Sequence, residues 1–218
     1  MVSNSAHVMV ITPHPDDAEF GVAGTVAHWV RDGKDVVYVV CTNGDKGSND
    51  SRMDPGKLAK IREEEFLGYP DQALEDSPEF RKKLVRLIRT YKPYTVVTAD
   101  PYKRYVWHRD HRIAGQVTLD AVFPYARDYL SYPDLIQEGL QPHKVKEILF
   151  WASEDPNFFS DITSTFDLKL AALRCHKSQV GQIPPEELEN RLRERHRILA
   201  RGKDFELAEA FHREEIWQ

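Results

Sequence analysis

Val8-Met9-Val10-Ile11-Thr12-Pro13-His14-Pro15-Asp16-Asp17-Ala18-Glu19-Phe20-Gly21 joins an apolar run to a histidine and neighbouring carboxylates. The apolar run is short and ends at Pro13, so it reads as a buried strand. Beyond the polar cluster, Val22, Val26, Trp29 and Val30 recur at helical spacing, and Gly33 supplies a C-terminal stop. Asp35 to Cys41, rich in β-branched residues, is a second buried strand. Strand, helix, strand with nearly continuous apolar strands predicts an α/β fold, a parallel sheet covered on both faces. In such sheets ligands bind beyond the carboxyl ends of the strands. His14, Asp16 and Asp17 stand at that place, and His with Asp suits a borderline divalent metal.

Outward from this stretch, the loop Thr42 to Asp50 leaves the same sheet edge. Pro55 to Glu65 reads as a short charged helix and Phe66 to Tyr69 as a strand. Phe80, Leu84, Leu87, Ile88 and Tyr91 form a helical stripe over Glu79–Lys92. Pro93 ends it, and Tyr94 to Ala99 is a further buried strand. A polar stretch containing His108-Arg109-Asp110-His111 follows, with a helix starting near Asp110 or His111 and running to about Ala121. Residues 123–142 read as loops and irregular turns. Val145–Trp151 and Phe158–Ile162 are late strands. Thr163 or Ser164 is expected to cap a helix carrying Phe166, Leu170 and Leu173 inward, with Asp167 completing a capping box. Pro184-Pro185 introduces a final charged helix from Glu186 to about Ala200.

The 218 residues are read as one domain, 1–218, and 41% hydrophobic with 30% charged residues fits a soluble globular chain. No run approaches the ~20 apolar residues of a membrane span, and the N-terminus lacks the pattern of a signal peptide. The expected location is therefore the cytoplasm, and two cysteines, Cys41 and Cys175, which make no disulfide framework and read as small core residues, agree with a reducing compartment. A net charge of −5 without a basic run argues against nucleic acid as the main partner.

A hydrolytic metal site typically has three protein ligands and one position left for water. His14 and Asp17, three residues apart around a turn, can address one ion, and His108 or His111 is the candidate third ligand. Asp16 can take a proton from the attacking water. The histidine left over can donate to the oxygen that becomes negative, and Asp110 can orient a histidine through its second ring nitrogen. His176 caps a helix end or lines the pocket. Asp45 and Lys46, between Gly44 and Gly47, read first as a plain turn.

Four segments in this order resemble the PIG-L/LmbE family of zinc-dependent N-acetyl-sugar deacetylases. They are Pro-His-Pro-Asp-Asp-Ala-Glu-Phe-Gly at 13–21, Thr-Asn-Gly-Asp-Lys-Gly at 42–47, His-Arg-Asp-His at 108–111 and His-Lys-Ser-Gln at 176–179. The resemblance implies a Rossmann-like three-layer α/β/α fold with a mostly parallel sheet. It implies Zn2+ on His14, Asp17 and His111, with Fe2+ or another divalent ion as alternatives. Asp16 becomes the base and His108 the oxyanion donor or acid, with Asp110 beside them. Arg62 and His176 become substrate-binding residues. The substrate is then a small N-acetylglucosamine-type conjugate, and assembly as a homo-oligomer, hexamers included, is expected. The chain departs from the family where Arg62-Glu63-Glu64-Glu65 meets Phe66-Leu67-Gly68-Tyr69 almost at once; relatives have a longer helix and a connector there. The rival readings are an amidase on a sugar–thiol conjugate, a metal phosphoesterase, and a non-catalytic Rossmann-like sugar- or nucleotide-binding protein. The last lacks a G-x-G-x-x-G after the first strand.

Overall fold

A computed structural model describes residues 6–46 and 65–217. Strands β1 (Val8–Thr12), β2 (Val36–Thr42), β3 (Glu65–Tyr69), β4 (Thr95–Ala99), β5 (Glu147–Trp151), β6 (Phe158–Asp161) and β7 (Ala208–Glu215) form a seven-stranded sheet in the order β3-β2-β1-β4-β5-β7-β6. The first five of these strands pair in parallel. β7 runs antiparallel to both β5 and β6. The helices are α1 (Asp17–Gly21), α2 (Ala23–Arg31), α3 (Pro78–Tyr91), α4 (Arg109–Asp120), α5 (Pro133–Gln137), α6 (Phe166–Cys175), α7 (Lys177–Val180) and α8 (Pro185–Leu199).

Alternation along β1 divides the core between the two faces of the sheet. Met9 and Ile11 join Phe80, Leu84 and Ile88 of α3 and Val117 of α4. Val8 and Val10 join Val22 and Trp29, the latter from α2. A further cluster, Phe166, Leu170, Leu188 and Leu192, knits α6 to α8. The result is the three-layer α/β/α arrangement with a mostly parallel sheet. No helix of the described residues is long and apolar enough to cross a membrane.

Several details differ from the sequence reading. The polar motif opens a helix of its own, α1, separated from α2 by the non-helical backbone of Val22 (φ −143°). Neither Thr163 nor Ser164 caps α6: Thr165 holds the N-cap position, its hydroxyl donating to the Gly24 carbonyl at 2.8 Å. Asp167 pairs instead with Arg193 of α8 at 3.0 Å. Cys41 is buried but Cys175 is exposed, so only the first is a core residue. Residues 123–142 contain α5, and a π-helical turn continues α4 over Ala121–Tyr125. The helix read over Pro55–Glu65 lies outside the described residues, apart from Glu65, which starts β3. Strand β7 was not read at all.

β7 carries Glu209, which is 1% exposed, and α6 carries Lys169, which is 0% exposed. Their charges meet at 2.6 Å. Lys169 Nζ also donates to the carbonyls of Glu19 (2.8 Å) and Phe20 (2.9 Å), at the C-terminal end of α1. The Glu209 carboxylate accepts from the amides of Gly24 (3.1 Å) and Thr25 (2.8 Å) and from the Thr25 hydroxyl (2.5 Å), at the N-terminal end of α2. Each charge therefore sits at the helix end whose dipole favours it and satisfies backbone groups that would otherwise be orphaned. Together they fix the break between α1 and α2. Lys169→Met leaves the Glu209 charge uncompensated, and denaturant unfolding should show a loss of about 3–5 kcal/mol. Lys169→Met/Glu209→Gln should recover part of it.

Behind this pair lies His196 of α8. Its Nδ1–H donates to the Ala208 carbonyl at 2.7 Å, while the buried Nε2 has no hydrogen-bond partner. Burial first, and the Lys169 charge second, hold this imidazole down to about 4. The folded state thus refuses a proton that the unfolded chain accepts near 6.5. Stability is complete above about pH 6.5 and is lost as pH falls toward 4, by on the order of 3 kcal/mol. His196→Gln should flatten that limb in urea titrations at neutral and acidic pH; an unchanged slope would remove His196 from the account.

Candidate active site

The ends of β1, β2 and β3 are tied together by the loops that leave them. Thr42 N–H donates to the Pro13 carbonyl (2.9 Å) and Asn43 N–H to the Tyr69 carbonyl (3.0 Å). Gly44, at φ +62°, passes so close to Pro15 that a Cβ would sit 3.0 Å from its ring; an L side chain there is both strained and crowded. Asp45 Oδ1 accepts from the Asp71 amide at 3.1 Å, and Lys46 Nζ donates to the Asp71 carbonyl at 2.8 Å. The turn read at Asp45 and Lys46 thus fixes the backbone of Asp71.

The turn after β1 is held by Asp17, whose Oδ2 accepts from the His14 amide at 2.8 Å. The same oxygen lies 3.0 Å from His14 Nδ1, and Oδ1 lies 3.2 Å from His111 Nε2. One carboxylate therefore spans two rings, one brought by the turn after β1 and the other by α4. Burial acts against ionising Asp17, but His14 and His111 outweigh it and keep its carboxyl below the ordinary range. Asp16, its chain neighbour, goes the other way: burial first, then the Asp17 charge, raises it to about 6.

α4 delivers His108, Asp110 and His111. His108 is the N-cap: its Nδ1 accepts from the Asp110 amide at 3.3 Å. A backbone N–H can only donate, so that ring's proton is placed on Nε2, 4.0 Å from Asp71 Oδ1. Asp110 is fully buried, accepts from the amides of Gln72 (2.7 Å) and Leu74 (3.2 Å), and reaches His14 Nε2 at 3.4 Å. The histidine ring it contacts is thus that of His14. The close approach of Gly115 to the Ala99 carbonyl, where a Cβ would come within 2.4 Å, sets α4 against the end of β4.

Ring nitrogens of His14, His108 and His111 lie within 4.8 Å of one another, as do ligand atoms of His14, Asp71, His108 and Asp110. The 3.0 and 3.2 Å separations around Asp17 match the ~3.3 Å between neighbouring donors of a tetrahedral ion bound at ~2.0–2.1 Å. Asp71 Oδ1 is buried and, although 3.0 Å from His14 Nε2, has no aligned hydrogen-bond donor. Nitrogen and oxygen donors gathered around under-satisfied carboxylate fit a divalent cation. The Asp17, Asp71 and Asp110 charges overcome the effect of burial on His14 and raise it to about 9.

These residues surround a cavity of about 280 Å3, which His14, Asp16, Asp17, Asp71, His108 and His111 line together with His176, Ser178 and Gln179. His176 is also the helix-end residue read from sequence, closing α6 and opening α7, with Nε2 3.3 Å from Glu19 Oε2. Arg62 lies outside the described residues. Asp71 was not singled out from sequence. Its one local signal is its place after Leu67-Gly68-Tyr69-Pro70, at the end of a strand.

A sequence model of the PIG-L family, described as GlcNAc-PI de-N-acetylase, matches residues 9–122. Diacetylchitobiose deacetylase of Thermococcus kodakarensis is 36% identical over 186 residues, 79% of this chain and 69% of that protein. A Bacillus subtilis protein described as probable N-acetyl-alpha-D-glucosaminyl L-malate deacetylase 2 is 27% identical over 214 residues, 89% of this chain and 92% of that one. The crystal structure of N,N'-diacetylchitobiose deacetylase from Pyrococcus horikoshii, complexed with an inhibitor, superposes with a TM-score of 0.88 at 29% identity, covering 96% of this chain and 84% of that one.

Proposed function

Since the chain belongs to the PIG-L (LmbE-like) family, we propose that it is a zinc-dependent deacetylase. The substrate is an N-acetylglucosamine-type conjugate, and acetate is released. The observation that carries the reading is the division of labour between adjacent aspartates: Asp17 is committed to His14 and His111, and Asp16 remains on the cavity wall, raised to about 6.

His14, Asp17 and His111 would hold the ion. Asp17 touches these two rings, whereas His108 is engaged with the Asp110 amide and is the most exposed ring of the three, at 40%. His14 would turn its other nitrogen to Asp110, the carboxylate–histidine pairing that commonly orients a ligand. Zn2+, when bound, supplies Lewis acidity at the acetyl oxygen and makes an attacking water more acidic. Asp16 removes the proton from that water as its oxygen bonds to the acetyl carbon; at neutral pH a carboxyl titrating near 6 is ionised yet basic enough for this. His108 Nε2–H donates to the oxygen that becomes negative. The proton taken by Asp16 passes to the departing nitrogen as the C–N bond breaks, giving acetate and the free amine.

The test is acetate release, in equal amount to new amine, from N-acetylglucosamine and its conjugates by metal-loaded protein. A larger acid released from a sugar–thiol conjugate would change the reading to an amidase. Sugar binding with no turnover in any metal form would leave a binding protein.

A further inference from the structure

Glu19 shares the short helix α1 with Asp17, and α6 grips it twice. Lys169 Nζ donates to the Glu19 carbonyl at 2.8 Å. About two helical turns further along, His176 closes α6 and brings its Nε2 to 3.3 Å from Glu19 Oε2. Both side chains are largely shielded, Glu19 at 14% and His176 at 16% exposed. Glu19 Oε2 is buried without an aligned hydrogen-bond donor, and the His176 Nε2–H is a donor within reach. The backbone of His176 is fixed as well. Its N–H donates to the Leu173 carbonyl at 3.0 Å, and its carbonyl accepts from the amides of Gln179 (2.9 Å) and Val180 (3.1 Å). The ring thus comes from a braced corner between α6 and α7 and stands on the wall of the polar cavity together with Asp16. Burial and the Asp17 charge raise the Asp16 carboxyl, and His176 is among the groups that oppose them, which reflects how near the ring stands to the base.

We propose that Glu19 is a positioning residue that holds His176 as the Nε2–H tautomer, and that His176 Nδ1 then accepts from the acetamide N–H of the substrate. The proposal rests on the deacetylase reading above and deepens it at the departing nitrogen. A carboxylate only accepts, and the bond made by one ring nitrogen decides the state of the other. Nε2, beside Glu19, therefore carries the proton, and Nδ1 keeps its lone pair for a donor. The substrate brings such a donor to this wall, because the nitrogen that receives a proton by way of Asp16 must lie close to Asp16. With its N–H directed at His176, the lone pair that nitrogen gains as the acetyl carbon becomes tetrahedral is turned away from the ring and toward the base. A buried amide N–H without an acceptor is costly, so an acceptor placed here favours an amide over an ester of the same shape.

Glu19→Ala, Glu19→Gln, His176→Ala and the double variant Glu19→Ala/His176→Ala are compared with wild type on an N-acetyl sugar and on the corresponding O-acetyl ester, which lacks the N–H. His176→Ala should lower the ratio of amide to ester kcat/KM about 10-fold, the equivalent of one hydrogen bond. Glu19→Ala should lower it similarly, with metal content retained, and the double variant should be no worse than His176→Ala. Glu19→Gln, whose amide oxygen still accepts from Nε2–H, should restore most of the loss. Nitrogen NMR of labelled histidines, with the His176 signal identified by its absence in His176→Ala, should show a protonated Nε2 and a bare Nδ1 in wild type and Glu19→Gln, and mixed tautomers in Glu19→Ala. An equal loss on amide and ester overturns the N–H contact. Additive losses in the double variant overturn the pairing, as does metal loss in Glu19→Ala, which would make Glu19 a support of α1 alone. If wild type releases acetate from no sugar, the deacetylase reading fails separately. The tautomer then decides the pairing by itself, a shift on Glu19→Ala supporting it and an Nδ1–H ring in wild type overturning it.

Discussion

Asp16→Asn should lower turnover by about 10²–10⁴-fold while the protein retains its metal. The two aspartates are neighbours in the chain but not in environment. Asp17 accepts from the His14 amide and stands between two imidazoles, which hold its carboxyl down against the effect of burial. Asp16 is pushed up to about 6 by burial and by the charge beside it. When the environments of two titratable groups drive them apart, their roles separate with them: in the proposed mechanism Asp17 is the carboxylate ligand and Asp16 exchanges protons. Asparagine keeps the shape of Asp16 and removes its basicity, so KM should move little. Elemental analysis and kcat on the same preparation decide the matter. Full turnover in Asp16→Asn would remove the base, and loss of metal would make Asp16 a ligand.

The histidines of α4 should separate in the same way. His111→Ala should lose the metal, and activity with it, because it removes one of the two rings that Asp17 touches. His108→Ala should keep the metal and lose about 10²–10³-fold in kcat, the usual cost of one oxyanion donor. Chelation should abolish activity, and added Zn2+ should restore it. The metal-free protein carries a further signature. Three carboxylates raise His14 to about 9 despite its burial, so below that pH an ion must displace a proton to reach the ring. Affinity should therefore climb about 10-fold per pH unit toward 9, and calorimetry in buffers of different ionisation enthalpy should count the proton released. An affinity independent of pH between about 6 and 8 would contradict this placement of His14.

What could be read in advance followed how local the physics is. β1, β2 and β4 are nearly continuous apolar or β-branched runs with Pro or Gly close by, and a strand buried on both faces has little other choice of sequence. The α3 stripe was legible for the same reason. At the site, His14, Asp16 and Asp17 announced themselves by their place after a strand, and the α4 histidines by their spacing. β7 was not legible. Its residues, Ala-Glu-Ala-Phe-His-Arg-Glu-Glu, include one large apolar side chain, and the carboxylate that is most deeply buried depends on Lys169, Thr25 and Gly24, far away in sequence. Asp71 escaped for a related reason. What holds it at the site is the pair of hydrogen bonds between its backbone and the side chains of Asp45 and Lys46, which a linear pattern does not display.

The clamp between Lys169 and Glu209 gives the enzyme a timetable. A ribosome delivers His14, Asp16 and Asp17 first, and His108 and His111 midway through synthesis. The helix that carries the aspartates has its C-terminal carbonyls held by α6, and the next helix has its first amides held by β7. Ribosome-bound chains halted after α4 would thus hold every proposed metal ligand and still lack the brace that sets their angle. Pulse-labelled chains stalled before and after Ala208 has left the exit tunnel should differ sharply in metal retention, a late-closing lock on a site begun at the other end of the chain.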